Sequence, residues 1–158
     1  MTNSELAVKA VIDTWNQTIA RFDSILDKLT DEQLENEVAP GKNRGVYILG
    51  HMVAVHDRLM PLLGFGPQSY PELDEVFLTS PDKAKATPPI ATLRTQWKEV
   101  NANLAKYYAQ LSADDWFGKH TAVTADDFAK EPHRNKFNVL VSRTNHLSYH
   151  FGQLILMK

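Results

Sequence analysis

Two histidines one helical turn apart, His146 and His150, stand in the run Asn145-His146-Leu147-Ser148-Tyr149-His150-Phe151-Gly152-Gln153. In a helix, positions i and i+4 are neighbours on one face at roughly 5–6 Å between Cβ atoms, from which two imidazoles can grip one metal ion. Two ligands alone make a weak site, and helix bundles supply further ligands from a facing helix. The third candidate is His51, in the apolar segment Tyr47-Ile48-Leu49-Gly50-His51-Met52-Val53-Ala54-Val55-His56-Asp57-Arg58 far earlier in the chain. His56 competes with it. On a helical wheel the two flank the face made by Ile48, Met52, Val55 and Leu59 on opposite sides, and geometry alone does not choose between them. The residues between His146 and His150 are Leu-Ser-Tyr, so the glutamate of the zincin helix is absent.

Long helices must carry these side chains. Over 4–29, Val8, Ile12, Trp15, Ile19, Phe22, Leu26 and Leu29 alternate spacings of four and three, the period of a helix packed in a bundle. Thr30 with Gln33 has the shape of a capping box that opens a short turn, closed by Pro40-Gly41. Asn43 is the expected N-cap of a second long helix reaching about 59, ended by Pro61 and Gly64-Phe65-Gly66-Pro67. Six of the eight prolines fall in 61–89, which reads as a loop with a short helical piece around 72–78. A connection of that length is a functional lid or a crossover between helices that are not hairpin neighbours. Phe65, Tyr70 and Phe77 are expected only to anchor it.

Thr87-Pro88-Pro89 opens a third long helix with a cap residue and proline in the first turn; its stripe is Ile90, Leu93, Trp97, Val100, Leu104, Tyr107 or Tyr108, and Leu111. The run Leu111-Ser112-Ala113-Asp114-Asp115-Trp116 echoes Leu29-Thr30-Asp31-Glu32-Gln33-Leu34, which suggests two related helix pairs about a pseudo-twofold. Residues 118–135 read as polar loop. The last helix covers 136–157 with the stripe Phe137, Leu140, Val141, Thr144, Leu147, Phe151 and Ile155. His146 and His150 lie beside it, in a mixed lane with Arg143 and Gln153, as expected next to a partly solvated cleft.

Composition bounds the function. The chain of 158 residues is expected to form one domain, residues 1–158, that buries ~70% of its unfolded surface. No apolar run approaches the roughly 20 residues of a transmembrane helix, and Met1-Thr2-Asn3-Ser4-Glu5 lacks the basic and then apolar character of a signal peptide, so a cytoplasmic location is expected, with no membrane partner. The absence of cysteine excludes disulfides, thiolate ligands and a cysteine nucleophile. A net charge of -2 with interspersed signs offers no basic stripe for phosphates, which disfavours nucleic acid as a partner.

Gly50-His51 inside an apolar helix, followed by His146-Leu-Ser-Tyr-His150-Phe-Gly152-Gln153, resembles the DinB-like superfamily, whose last helix carries His-x-x-x-His-x-Gly-Gln. The four long helices, the Leu-Ser/Thr turns after the first and third, and the long middle segment are similar to that family across essentially the whole chain. The resemblance implies an all-α fold: a four-helix bundle with a long crossover loop between helices 2 and 3. It also implies a divalent metal bound by His51 from the second helix and by His146 and His150 from the fourth. It selects His51 over His56, which is then expected behind the ligands or on the surface. His120 and His133 match no family position and are expected to face solvent.

Three neutral imidazoles leave coordination positions open, as in catalytic zinc centres. Nitrogen donors suit zinc, nickel, iron or copper, with zinc or nickel the expected ion. Such an ion lowers the pKa of water toward about 7, or holds a small thiol as thiolate. The superfamily includes transferases and isomerases that use low-molecular-weight thiols. The resemblance therefore implies a metal-dependent enzyme acting on a small-molecule substrate, a hydrolase or thiol-dependent transferase in type. The alternative is a non-catalytic metal- or ligand-binding helical bundle, with a homodimer as the expected assembly. Gln153 is expected to bond substrate or water, or else to fix a neighbouring backbone. Gly152 is expected to permit close helix approach, and Asp57 to orient an imidazole or carry surface charge. No carboxylate stands out as a general base.

Overall fold

Capping chemistry sets where the helices begin. In the computed structural model, which describes residues 1–158, the chain is all-helical. In chain order the segments are α1 (Asn3–Lys28), α2 (Asp31–Leu34), α3 (Gly45–Asp57), α4 (Leu59–Leu63), α5 (Leu73–Phe77), α6 (Ile90–Tyr108), α7 (Ala113–Phe117), α8 (Ala125–Lys130) and α9 (Lys136–Ile155). Thr2 with Glu5, Thr30 with Gln33 and Ser112 with Asp115 form reciprocal capping boxes at α1, α2 and α7, each satisfying two otherwise orphaned backbone donors. Asn135 caps α9 by accepting from the Asn138 amide.

Several expected boundaries move. The N-cap of α3 is Arg44, whose guanidinium has no acceptor and so forms no side-chain cap bond, while its own amide donates to the Asp82 carboxylate at 2.8 Å; Asn43 does not cap. Helical structure resumes past Arg58 as α4, where Pro61 sits in the first turn and needs no amide donor; Gly64, at φ 81°, then ends it in the left-handed conformation. Pro89, not Thr87, occupies the cap position of α6 and forms no side-chain bond. The stretch 118–135 contains α8, capped by Thr124 on the Asp127 amide. Its six residues are too few and too polar to show a period.

The long helices pack in pairs, α1 along α9 and α3 along α6, with α3 also meeting α9. Along α3 only Tyr47 and His51 escape full burial, so this helix is enclosed on nearly every side. The buried face of α9 is Leu140, Thr144, Leu147, His150 and Leu154, while Ile155 is exposed. The expected stripe through Phe151 and Ile155 is therefore out of phase. Two steps of four from Leu147 carry a helix some 80° around its axis, whereas a step of three and one of four return within about 20° of the starting line. An antiparallel bridge joins Glu37 to Arg44 between α2 and α3, and another joins Lys119 to Asn135 between α7 and α9. Each half thus runs long helix, capped turn, bridge, histidine-bearing helix.

Residues 61–89 are stitched to α3 by polar bonds. Buried Asp57 accepts the amides of Ser69 and Tyr70 at 2.9 and 2.8 Å; it is neither a surface charge nor bonded to a histidine. The Tyr47 hydroxyl donates to the Ser80 carbonyl at 2.7 Å, and Arg44 pairs with Asp82 at 2.9 Å. These ties hold α5 against α3, with the fully buried Phe77 ring lying on the backbone of Gly50. A Cβ at Gly50 would fall 2.2–2.5 Å from three atoms of that ring. Overpacking typically costs about 1–3 kcal/mol, and alanine's helical advantage of about 1 kcal/mol offsets only part of it. Gly50→Ala is expected to lower stability by up to about 2 kcal/mol in urea denaturation; unchanged stability would mean that the ring can move aside.

Candidate metal centre

His51 rises from the one partly open position on α3 that faces α9, and His146 and His150 meet it from there. The Nε2 of His146 lies 3.3 Å from the Nε2 of His51 and 3.0 Å from the Nε2 of His150. All three donor nitrogens fall within 4.8 Å of one another. The far nitrogens decide what these distances mean. His51 Nδ1 lies 2.9 Å from the Phe77 carbonyl oxygen, which only accepts, so this nitrogen carries the proton. His150 Nδ1 lies 2.7 Å from Gln153 Oε1, and the amide of Gln153 is oriented by donation from its nitrogen to the Tyr149 hydroxyl at 3.3 Å. With both Nδ1 atoms protonated, the Nε2 atoms of His51 and His150 present lone pairs inward. A proton on His146 Nε2 would be donated to one neighbour and leave the inward lone pair of the other without a donor. A cation serves all three.

The donor set therefore fits a metal ion. With metal–nitrogen bonds of about 2.0–2.1 Å, tetrahedral neighbours stand about 3.3–3.4 Å apart, close to the two spacings at His146, 3.3 and 3.0 Å. Burial, which penalises the charged form, pushes His146 and His150 down to about 4 and lowers His51 as well; the Arg143 charge adds to the effect at His51 and His146. The rings are thus kept neutral, as ligation requires. His146 Nδ1 is buried and bonded to no protein group, so this ring lacks the outer acceptor that the other two possess.

The remaining candidates separate from the cluster. His56 is fully buried between the rings of Trp15 and Trp97, at 4.8 and 4.9 Å, and its Nδ1 meets Asn101 Oδ1 at 2.7 Å. Burial lowers it to about 3. It is a core residue with no bond to the three histidines. His133 is exposed, and His120 is half-buried, accepting from the Ala122 amide at 3.2 Å. Gln153 points at His150. Gly152 is exposed, and a Cβ there would meet nothing within 4 Å, so it mediates no helix approach. Phe77, expected only to anchor a loop, supplies the carbonyl that orients His51; a backbone oxygen has no residue signature by which sequence could reveal it.

Two hollows flank the cluster. One of about 190 Å³ is lined by Tyr47, His51, Phe77 and His150. A larger one of about 530 Å³ shares Leu78 with it and opens over Val55, Leu59, Leu62 and Arg143. The histidines do not line the larger hollow, but Val55 and Arg143 stand one helical turn from His51 and His146.

This is an all-helical protein with a three-imidazole cluster between two helices and a cavity beside it. The chain belongs to the DinB superfamily, whose family model matches residues 14–154. A solved structure described as the conserved protein of locus from Enterococcus faecalis is similar in fold, with a TM-score of 0.65 at 17% identity, covering 99% of this chain and 95% of that one. No curated protein matches the chain.

The shifted histidines set a pH dependence. Unfolded imidazoles titrate near 6.5, so between that value and about 4 the unfolded chain binds more protons than the folded one, and stability falls as pH drops through this window. Metal-free protein should show a lower urea midpoint at pH 5 than at pH 7, with a smaller fall in the His146→Ala/His150→Ala double variant. An equal fall in both would assign the effect elsewhere, first to His56.

Proposed function

We propose that the protein is a metal-dependent enzyme acting on a small molecule, with His51, His146 and His150 as ligands and the remaining coordination positions open. The observation that carries this reading is the inward aim of the His51 and His150 lone pairs, fixed by Phe77 and Gln153. The scaffold is read as a DinB-type four-helix bundle of α1, α3, α6 and α9 in one domain, with residues 58–89 crossing between the second and third of these. When bound, zinc or nickel would supply Lewis acidity, activating water or a low-molecular-weight thiol as nucleophile. In this reading Phe77 and Gln153 hold two imidazoles in the ligating tautomer, and burial keeps all three neutral. The reaction type is a hydrolase or a thiol-dependent transferase.

A second reading, a non-catalytic metal- or ligand-binding bundle, draws on one observation: the cluster contains histidines alone, and no carboxylate joins it as a base. The two readings differ in how the ion behaves. A catalytic ion carries exchangeable ligands that small thiols displace; an ion that supports the fold does not.

Mass spectrometry of untagged protein should find one ion per chain, lost on His150→Ala. Helicity should survive both that substitution and chelation, because the core cluster of 29 buried residues contains none of the three histidines. A His150→Ala protein that keeps its ion would overturn the ligand assignment, and collapse on chelation would favour a structural ion. Gln153→Ala should weaken metal affinity by about 10- to 100-fold, the usual effect of removing a group that orients a ligating histidine, as measured by competition with a chromophoric chelator.

A further inference from the structure

The larger cavity beside the histidine cluster carries an unneutralised cation. Its volume of about 530 Å³ lies within the range of small-ligand sites, and its walls at Val55, Leu59, Leu62 and Leu78 are apolar. Its other polar groups are already engaged. Arg58 pairs with Asp74 at 2.9 Å, the Gln68 amide donates to Asp74 at 3.2 Å, and the Thr121 hydroxyl donates to the Pro61 carbonyl at 2.9 Å. Arg143 differs. It lines the cavity, is half-buried, and takes part in none of the chain's ion pairs. A guanidinium is always charged and presents a planar fork of donors, so a site that leaves it without a partner is complementary to an anion.

We propose that this cavity binds the substrate of the histidine site, and that the substrate has an apolar body ending in a carboxylate that Arg143 holds. The inference rests on the metal reading only for what happens after binding. A carboxylate is favoured over a phosphate dianion because Arg143 is the single unpaired positive charge lining the cavity, Arg58 being already neutralised by Asp74. Because Arg143 stands one turn before His146, an anion held there directs the next few atoms of the ligand toward the cluster. The apolar walls give the body of the molecule a place away from water.

The test uses the full chain loaded with zinc. Octanoate and octanamide are titrated separately, and binding is followed by the NMR shifts of the Val55, Leu62 and Thr121 amides. The parent is expected to bind octanoate about 10- to 100-fold more tightly than octanamide, the difference a charge-assisted pair supplies. Arg143→Gln should remove that preference while leaving the affinity for octanamide unchanged, and Arg143→Lys should restore part of it. His150→Ala, which loses the ion under the metal reading, should keep the preference. Octanoate affinity unchanged in a folded Arg143→Gln protein would overturn the proposal. A preference that survives Arg143→Gln and vanishes in His150→Ala would place the carboxylate on the ion, overturning the arginine subsite while upholding the metal site. No shift at these amides with either compound in the parent would show that the cavity takes no such ligand.

Discussion

Nitrogen lone pairs aimed at one another are unfavourable unless positive charge lies between them, and the centre of this molecule is built to keep such an arrangement in place. The Phe77 carbonyl and the Gln153 amide oxygen each hold a proton on the outer nitrogen of an imidazole, so that neither ring can turn its protonated edge inward. Burial resists the other escape, which is protonation. For these two rings tautomer, orientation and charge state are therefore settled by the protein itself, and a cation placed between them would meet lone pairs requiring little rearrangement.

The support for His51 is longer than one hydrogen bond. Its acceptor belongs to α5, a five-residue helix too short to be stable alone. That helix is held because Asp57, Tyr47 and Arg44 each grip a backbone or carboxylate group in the segment that contains it. Gly50 lets the Phe77 ring sit directly on the backbone of α3, which brings the Phe77 carbonyl within reach of the neighbouring histidine. The middle of the chain thus contributes no atom to the triad and still determines where one of its imidazoles points.

How much of this was legible in the sequence follows from the range of each interaction. The stripes of α1 and α6 were readable because threes and fours repeat long enough to fix a phase, and the capping boxes at Thr30 and Ser112 because both partners lie within four residues. The short polar α8 offered no period. On α9 the pattern is ambiguous after Leu147, where Phe151 and His150 compete and hydrophobicity alone favours Phe151, although His150 takes the buried position. At the site, the spacing of His146 and His150 was plain, whereas the choice of His51 over His56 came from family resemblance. Asp57 looked like a surface charge because backbone amides that satisfy a buried carboxylate leave no mark in sequence. The cavity and the unpaired state of Arg143 depend on what packs around them, information that no local pattern holds.

The triad also has a calendar. His51 precedes His146 by 95 residues, and ribosomes add about 5–20 residues each second, so the first imidazole waits roughly 5–20 s for the others to be made. During that interval the nascent chain holds only one imidazole of the triad, too little to retain an ion. Under the proposed metal reading, loading would therefore be a late event, and an ion gripped by all three rings would certify that the final helix has docked.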